Sequence, residues 1–500
     1  MHATPWMKIG LLLSAAALLA ARAPANPPLY TPDNAPDTPS LDQLERRDRI
    51  SQHGITWTFD RPVPIGQFVN GDYYVIGPVT VVEIDPAPAN GRNGSTLNIP
   101  VDPTTAESKL GFDDRIPFGR YAPDLFHAPP IEMKPGDALV SSISLGEDVT
   151  SIQTQPRRPR SEVTPIPTML WDETWVHSPM RVAAVLTCLG EPVPADAFRP
   201  GYADRSQRVY LARNLRRDRL PALERVAATP SLDAWQAMFE RPWLDVVMDE
   251  FGAPIGNMPR YGREFTRATS IATLLLALDF PEAQKQPLLI GLCQVGIDLR
   301  GLLDAGKPGW PPLGGHGNGR KWTIIFTGLM LDEPEMQQPL EHFPHAVFSE
   351  DRQTMFDDGW TGAQAVYAGH VGPAGHDRHE GWGRYEHLPP EQWVASLGES
   401  YRRCCTSKSW VGTALAVQLY EAEELWDHDA FLVYADRWMN EDDSEHVERI
   451  RDAGRGDWNA SWQRQGALWD EFVGQMWLAY RPTIKAPVER WRWPGGVAPQ

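Results

Sequence analysis

Near Pro167 the chain changes periodicity, and that change limits the available folds more than any single motif does. Before it, Ile55-Thr56-Trp57-Thr58-Phe59, Tyr73-Tyr74-Val75-Ile76 and Val79–Ile84 are β-branched or aromatic runs punctuated by Gly and Pro, the signature of short strands. Lys134-Pro135-Gly136-Asp137 reads as a turn, with a strand over Ala138–Ser144 behind it. After it come long segments with apolar residues at helical spacing: Met180–Leu189, Leu232–Phe251, Ala268–Leu278, Pro287–Leu303, Trp322–Leu331, Gln392–Tyr420, Leu425–Met439 and Trp462–Tyr480. All of the 20 tryptophans except Trp6 and Trp57 fall in this second part. No β-α-β alternation is present, which excludes a doubly wound parallel sheet, and no fixed-period repeat, which disfavours a solenoid. The expected architecture is mainly α with a β domain: an antiparallel β-sandwich over 51–166, followed by an α/α toroid (a helical hairpin barrel) over 167–485 and a tail over 486–500.

At the N-terminus, Lys8 precedes the apolar run Ile9–Ala21, and small-residue patterns follow at Ala21-Arg22-Ala23 and Ala23-Pro24-Ala25. This order predicts a cleavable export signal over 1–25 and a secreted or periplasmic protein. The run is shorter than the roughly 20 residues of a bilayer span, so the expected product is soluble with no membrane partner. Residues 26–50, rich in Pro, Asp and Asn, read as a linker. A net charge of −18 argues against nucleic acid, whose binding depends on Lys and Arg neutralising phosphates. It leaves room for an anionic ligand in a locally basic cleft. The four cysteines, Cys188, Cys293, Cys404 and Cys405, show no zinc spacing and no disulfide framework; the adjacent pair reads as packing inside a helix.

Three polar segments concentrate groups that a helical core does not need. Gly256–Glu264 opens a long helix and gathers Asn257, Arg260, Tyr261 and Arg263. Gly314-Gly315-His316-Gly317-Asn318-Gly319-Arg320 is a glycine-rich loop in which backbone can approach a ligand closely, although such loops are also ordinary turns. It lacks the ending of a phosphate-binding P-loop. His370–His387 places four of the 13 histidines within one stretch, together with Arg378, Trp382, Arg384 and Tyr385. His376, Asp377 and His379 are acceptable metal ligands, but their spacing matches no zinc signature, and a solvated loop or a sugar-stacking rim is the competing reading. Downstream, Tyr401 and Arg403 begin a helix in which either one faces a cleft or both belong to its packing and solvation.

Asn257, His316, Arg378 and Tyr385, in that order within a helical region beside a β domain, resemble the α/α-toroid polysaccharide lyases that act on alginate or glucuronan. The resemblance implies that Asn257 and His316 neutralise a uronate carboxylate. It further implies that Arg378, seven positions before Tyr385, supports that tyrosine as base and acid. Those lyases often place Asn and His adjacent; this chain has no Asn-His dipeptide, so Asn257 and Asn318 both remain candidates for the amide. Around these four, Tyr261, Arg263, Asn318, Arg320, His376, His379, Trp382, Arg384, Tyr401 and Arg403 are the expected substrate-binding residues.

The chemistry supports the same residue types independently. β-Elimination removes the weakly acidic proton beside a carboxylate, which requires donors that stabilise the charge developing there. It also requires a base that then protonates the leaving glycosidic oxygen, and a tyrosine near cations does both. The expected partner is an anionic polysaccharide, with no catalytic metal and no cofactor. A glycoside hydrolase is the first rival; it needs two carboxyl groups facing one bond, for which Asp357, Asp358, Glu380 and Glu386 are available. A non-catalytic glycan-binding protein is the second.

Overall fold

The computed structural model describes residues 27–104, 108–116, 119–146, 158–159, 175–176, 179–246, 257–259, 261–312, 314–369, 383–394, 397–455, 468 and 470–484. The expected export signal and most of the histidine-rich segment, including Arg378, His376, Asp377, His379, Glu380 and Trp382, lie outside these residues.

The β-branched runs fold as read, but into one curled mixed sheet rather than a sandwich. Its strands are β1 (Glu45–Gln52), β2 (Ile55–Gln67), β3 (Tyr73–Ile76), β4 (Val79–Asp85), β5 (Ser95–Leu97), β6 (Ile131–Met133), β7 (Ala138–Ser144) and β8 (Met180–Leu189). The order is β5-β7-β8-β3-β2-β4-β6, with β1 also paired to β2. β8 runs parallel to β3, from Leu186 against Tyr73 to Leu189 against Ile76, and antiparallel to β7.

The curl replaces the second sheet. Residues of one face, among them Trp57, Phe59, Ile65, Val81, Leu139, Val182, Ala184 and Leu186, meet one another in a core enclosed by the sheet itself. Trp57 Nε1 crosses that core to donate to Ser141 Oγ at 2.9 Å. Alternate residues on the other face, Ala138, Val140, Ala183 and Val185, join a single apolar core that continues to Trp477. Strand side chains alternate faces, so β7 and β8 are buried on both sides, whereas β1, β4 and β6 keep one face open to solvent.

The helical part is a solid body, not a toroid. Its main helices are α1 (Leu232–Phe239), α2 (Gly262–Leu276), α3 (Glu282–Asp304), α4 (Arg320–Leu331), α5 (Ser349–Gln353), α6 (Leu397–Tyr401), α7 (Ser407–Leu419), α8 (Asp429–Asn440) and α9 (Glu471–Tyr480). A toroid keeps one face of each inner helix on an open cleft. Here every residue of α4 is buried, and every residue of α2 except Arg263. α2 packs against α3, α4, α7 and α9, a central position that leaves no hole. With 38% helix and 19% strand, the chain is also less dominated by helices than a toroid with a small β domain. Among the described residues no helix is long and apolar enough to cross a membrane.

Arg199 joins sheet to helices. Its guanidinium is fully buried, reaches Asp72 Oδ2 beside β3 at 2.5 Å, and forks onto Asp298 of α3 at 2.9 and 2.7 Å. The fork-to-carboxylate geometry fixes the relative position of the two layers as well as their charge balance.

Candidate active site

The first residue of α2, Gly262, has no room for a side chain: a Cβ there would meet the Gly315 and His316 carbonyls, at 2.1 and 2.2 Å. The glycine loop therefore lies directly on the start of α2, and this contact assembles the site. The Gly315 N–H donates to the Tyr261 hydroxyl oxygen at 2.8 Å. The His316 ring stands edge-on to the Tyr261 ring, with centroids 4.6 Å apart, and the Arg263 guanidinium carbon lies 5.6 Å from that same ring's centre. On the other side, Tyr401 closes against Gly314, where an added Cβ would come within 2.9 Å of the Tyr401 ring and 3.1 Å of the Tyr261 hydroxyl. Two phenols, an imidazole and a guanidinium thus surround one short stretch of backbone, with His316, Arg263 and Tyr401 partly exposed.

Other residues hold the loop in place. Gln353 Nε2 donates to Gly314 O at 2.6 Å and to the Tyr367 hydroxyl at 3.1 Å. Arg320 grips Asp245 with two bonds of 2.8 and 2.7 Å, donates to His316 O at 2.7 Å, and packs 3.9 Å from the Phe265 ring centre. It is a buried brace beneath the loop, not a side chain turned towards a ligand. Gly314 adopts φ +69°, a left-handed conformation that costs an L-residue about 1–2 kcal/mol. Gly314→Ala should lower the melting temperature by at least that equivalent and displace both tyrosines, as calorimetry of the variant would register; an unchanged melting temperature would mean that the loop relaxes freely.

Glu350 of α5 lies below the same loop and accepts the Gly319 N–H at 2.6 Å through Oε1. Burial pushes its carboxyl up to about 7, against the opposing effect of that N–H. A folded-state value above the ordinary 4.5 means that the group adds stability at pH below about 4.5 and loses it as pH rises through about 7. Comparing melting temperatures of wild type and Glu350→Gln from pH 4 to 8, the wild-type advantage should shrink as pH rises, by on the order of 1–3 kcal/mol in all. A widening advantage would show that the carboxylate is paired when charged.

The third segment diverges from expectation. Tyr385 is buried and donates to Glu399 Oε2 at 2.7 Å. Burial and the neighbouring Glu399 carboxylate hold its phenol well above the usual value, opposite to what a base requires. Glu399 in turn accepts from Arg402 at 2.8 and 3.1 Å and pairs with Arg403, while Arg403 reaches Asp443 at 2.6 Å. Burial raises the Glu399 carboxyl, but the Arg402 and Arg403 charges outweigh that and hold it at about 2. Arg403 is thus an internal counter-ion, and Arg384 is exposed and paired with Asp357. Asn257 is buried and donates to the Arg241 carbonyl at 3.3 Å. Asn318 is fully buried, and neither polar atom of its side chain has a hydrogen-bond partner among the described residues.

Of the expected site residues, the structure brings together His316, Tyr261, Arg263 and Tyr401; it places Arg320, Tyr385 and Arg403 in supporting networks. Gln353, Tyr367 and Glu350 carried no sequence signal beyond being polar residues in a helical region. The pair read as simple helix packing is a disulfide: Cys404 and Cys405 are bonded to each other in a π-helical turn, Arg402–Thr406, between α6 and α7. Such turns inside α-helices are frequent at functional sites. Among the described residues no group of three or more His, Cys, Asp or Glu side chains is placed to hold a metal ion. No family model matches the chain, and no curated protein or solved structure matches it.

Proposed function

We propose that the chain is an exported polysaccharide lyase that cleaves a uronic-acid-containing polymer by β-elimination at the glycine loop. The observation that carries this reading is the contact of Tyr261 with His316, Arg263 and the Gly315 N–H around one strip of backbone. In this reading Arg263 and His316 meet the substrate carboxylate and stabilise the charge that develops on it. Tyr261 takes the proton from the carbon beside that carboxylate. The electron pair of the broken C–H bond becomes a carbon–carbon double bond, the glycosidic C–O bond breaks, and the departing oxygen receives a proton from the same tyrosine. Tyr401, across Gly314, supplies a ring against which a sugar stacks.

The hydrolase reading has less support. Asp357 is engaged by Arg384, and Glu386 is bound by Arg437 at 2.9 Å inside a buried network, so neither is placed as half of an opposed carboxylate pair. The test is product chemistry on a panel of uronate polymers, including alginate and glucuronan. Elimination gives an unsaturated uronide that absorbs in the ultraviolet; new reducing ends without that absorbance would establish hydrolysis, and binding without either product would establish a glycan-binding protein.

A further inference from the structure

We propose that the Cys404–Cys405 disulfide is a reversible positioning element for this site, which holds Arg263 and the glycine loop in register while closed and releases both when a thiol reductant opens it. The inference rests on the lyase reading only for the identity of the ligand.

A disulfide between adjacent residues closes almost no chain, so it supplies little of the stabilisation that cross-links gain by restricting a long loop. Its effect is therefore local, and its surroundings define that effect. The Cys404 carbonyl accepts from Arg263 Nη1 at 3.2 Å. The Cys405 carbonyl lies so close to Gly315 that a Cβ on that glycine would stand 2.4 Å away. The peptide spanned by the two sulfurs thus touches the cation of the site on one side and its loop on the other. Tyr401, whose ring closes on Gly314, directly precedes the same turn, and Thr406 Oγ1 donates back to the Tyr401 carbonyl at 3.1 Å. Restricting the 404–405 peptide restricts all three groups at once.

Access favours this pair over the remaining cysteines. Cys404 and Cys405 are partly exposed, whereas Cys188 and Cys293 are fully buried, and burial pushes the Cys188 thiol up to about 12. A dithiol such as dithiothreitol attacks one sulfur and forms a mixed disulfide; its second thiol then displaces the protein sulfur. The protein gains two electrons and two protons as two thiols, and the reductant leaves as its cyclic disulfide.

The test uses the full-length protein with and without dithiothreitol, alkylation and mass spectrometry identifying the residues reduced. Reduction should label Cys404 and Cys405 and leave Cys188 and Cys293 unlabelled under native conditions. Amide exchange over 314–319 should accelerate at least about tenfold, with β7 unchanged as the internal reference. The double variant Cys404→Ser/Cys405→Ser should match the reduced protein and ignore the reductant. On any polymer that gives an unsaturated product, reduction should lower kcat/KM by about tenfold with kcat falling as well as KM rising, because Arg263 both meets the carboxylate and stabilises the charge that develops on it. Equal exchange over 314–319 in oxidised and reduced wild type would overturn the inference, whether or not the serine variant folds. A redox response in exchange without turnover on any polymer would sustain it while removing the lyase reading.

Discussion

Replacing Arg199 with Met should destabilise the protein by about 3–5 kcal/mol, since it leaves two buried carboxylates without their cation. Asp72 and Asp298 are both almost wholly buried, and Arg199 reaches each within 2.9 Å. Methionine fills a similar volume, so the cost is electrostatic and not a cavity. Urea unfolding would show the midpoint fall with little change in slope. The sign of the pH dependence adds a check. Buried carboxylates deprived of a cation hold their protons more tightly folded than unfolded, and stability gained that way is present at low pH and lost as pH rises. The penalty of Arg199→Met should therefore grow between about pH 4 and pH 7. A loss below about 1 kcal/mol, flat with pH, would mean that water reaches this junction and that the bridge behaves as a surface pair.

Tyr261→Phe is the corresponding test of the chemistry. It keeps the ring that His316 and Arg263 flank and deletes only the oxygen that accepts the Gly315 N–H. If that oxygen moves the proton, turnover on the responsive polymer should fall by about 10²–10⁴-fold with KM nearly kept. Tyr385→Phe is the matched comparison. It deletes a hydroxyl whose proton is donated to Glu399, so it should cost about 1–2 kcal/mol of stability and leave turnover within about threefold. The reverse pattern, with Tyr385 essential and Tyr261 dispensable, would return the base to the position that the Arg378 spacing suggests.

The contrast between these tyrosines shows where sequence spacing stops being informative. Seven positions amount to two turns only within a helix, and Tyr385 lies in a turn between Gly383 and Leu388. The loop glycines read as permitting close backbone approach to a ligand; the backbone they approach is the protein's own, at Cys405, Pro311 and Thr266, and Gly262 carries no such reading. Met180–Leu189 was not legible as a strand: every residue in it except Arg181 is buried, so the alternation that marks a strand is absent, and a short apolar run bounded by turns is read equally well as helix. A different ambiguity concealed the solid helical body. α2 carries a polar side, with Glu264, Arg267 and Ser270, and α4 carries Thr323 and Thr327, yet both helices are buried all round, so the pattern of a helix with one face open to a cleft belongs here to helices inside a core. The runs that became β2, β3, β4 and β7 were recoverable and the three-residue β5 and β6 were not; the closure of the sheet was not recoverable either, because a curled sheet and half of a sandwich present the same inward residues.

The place of β8 in the sheet governs how the chain can be divided and in what order it can form. β7 is complete by residue 144, yet its neighbour on one side and the partner of β3 both arrive only with residues 180–189. Until then the sheet exists as two separate pieces, β5-β7 and β3-β2-β4-β6, each with an open edge that any other extended chain can join. A fragment ending at 166 would keep that division permanently and expose Ala138 and Val140, which the continuous core covers in the whole chain. Such a fragment should associate with itself, whereas one extended through Leu189 would join the pieces yet still lack the helical cover for their outer face. The shortest length that folds alone therefore extends past β8 into the helices that share this core.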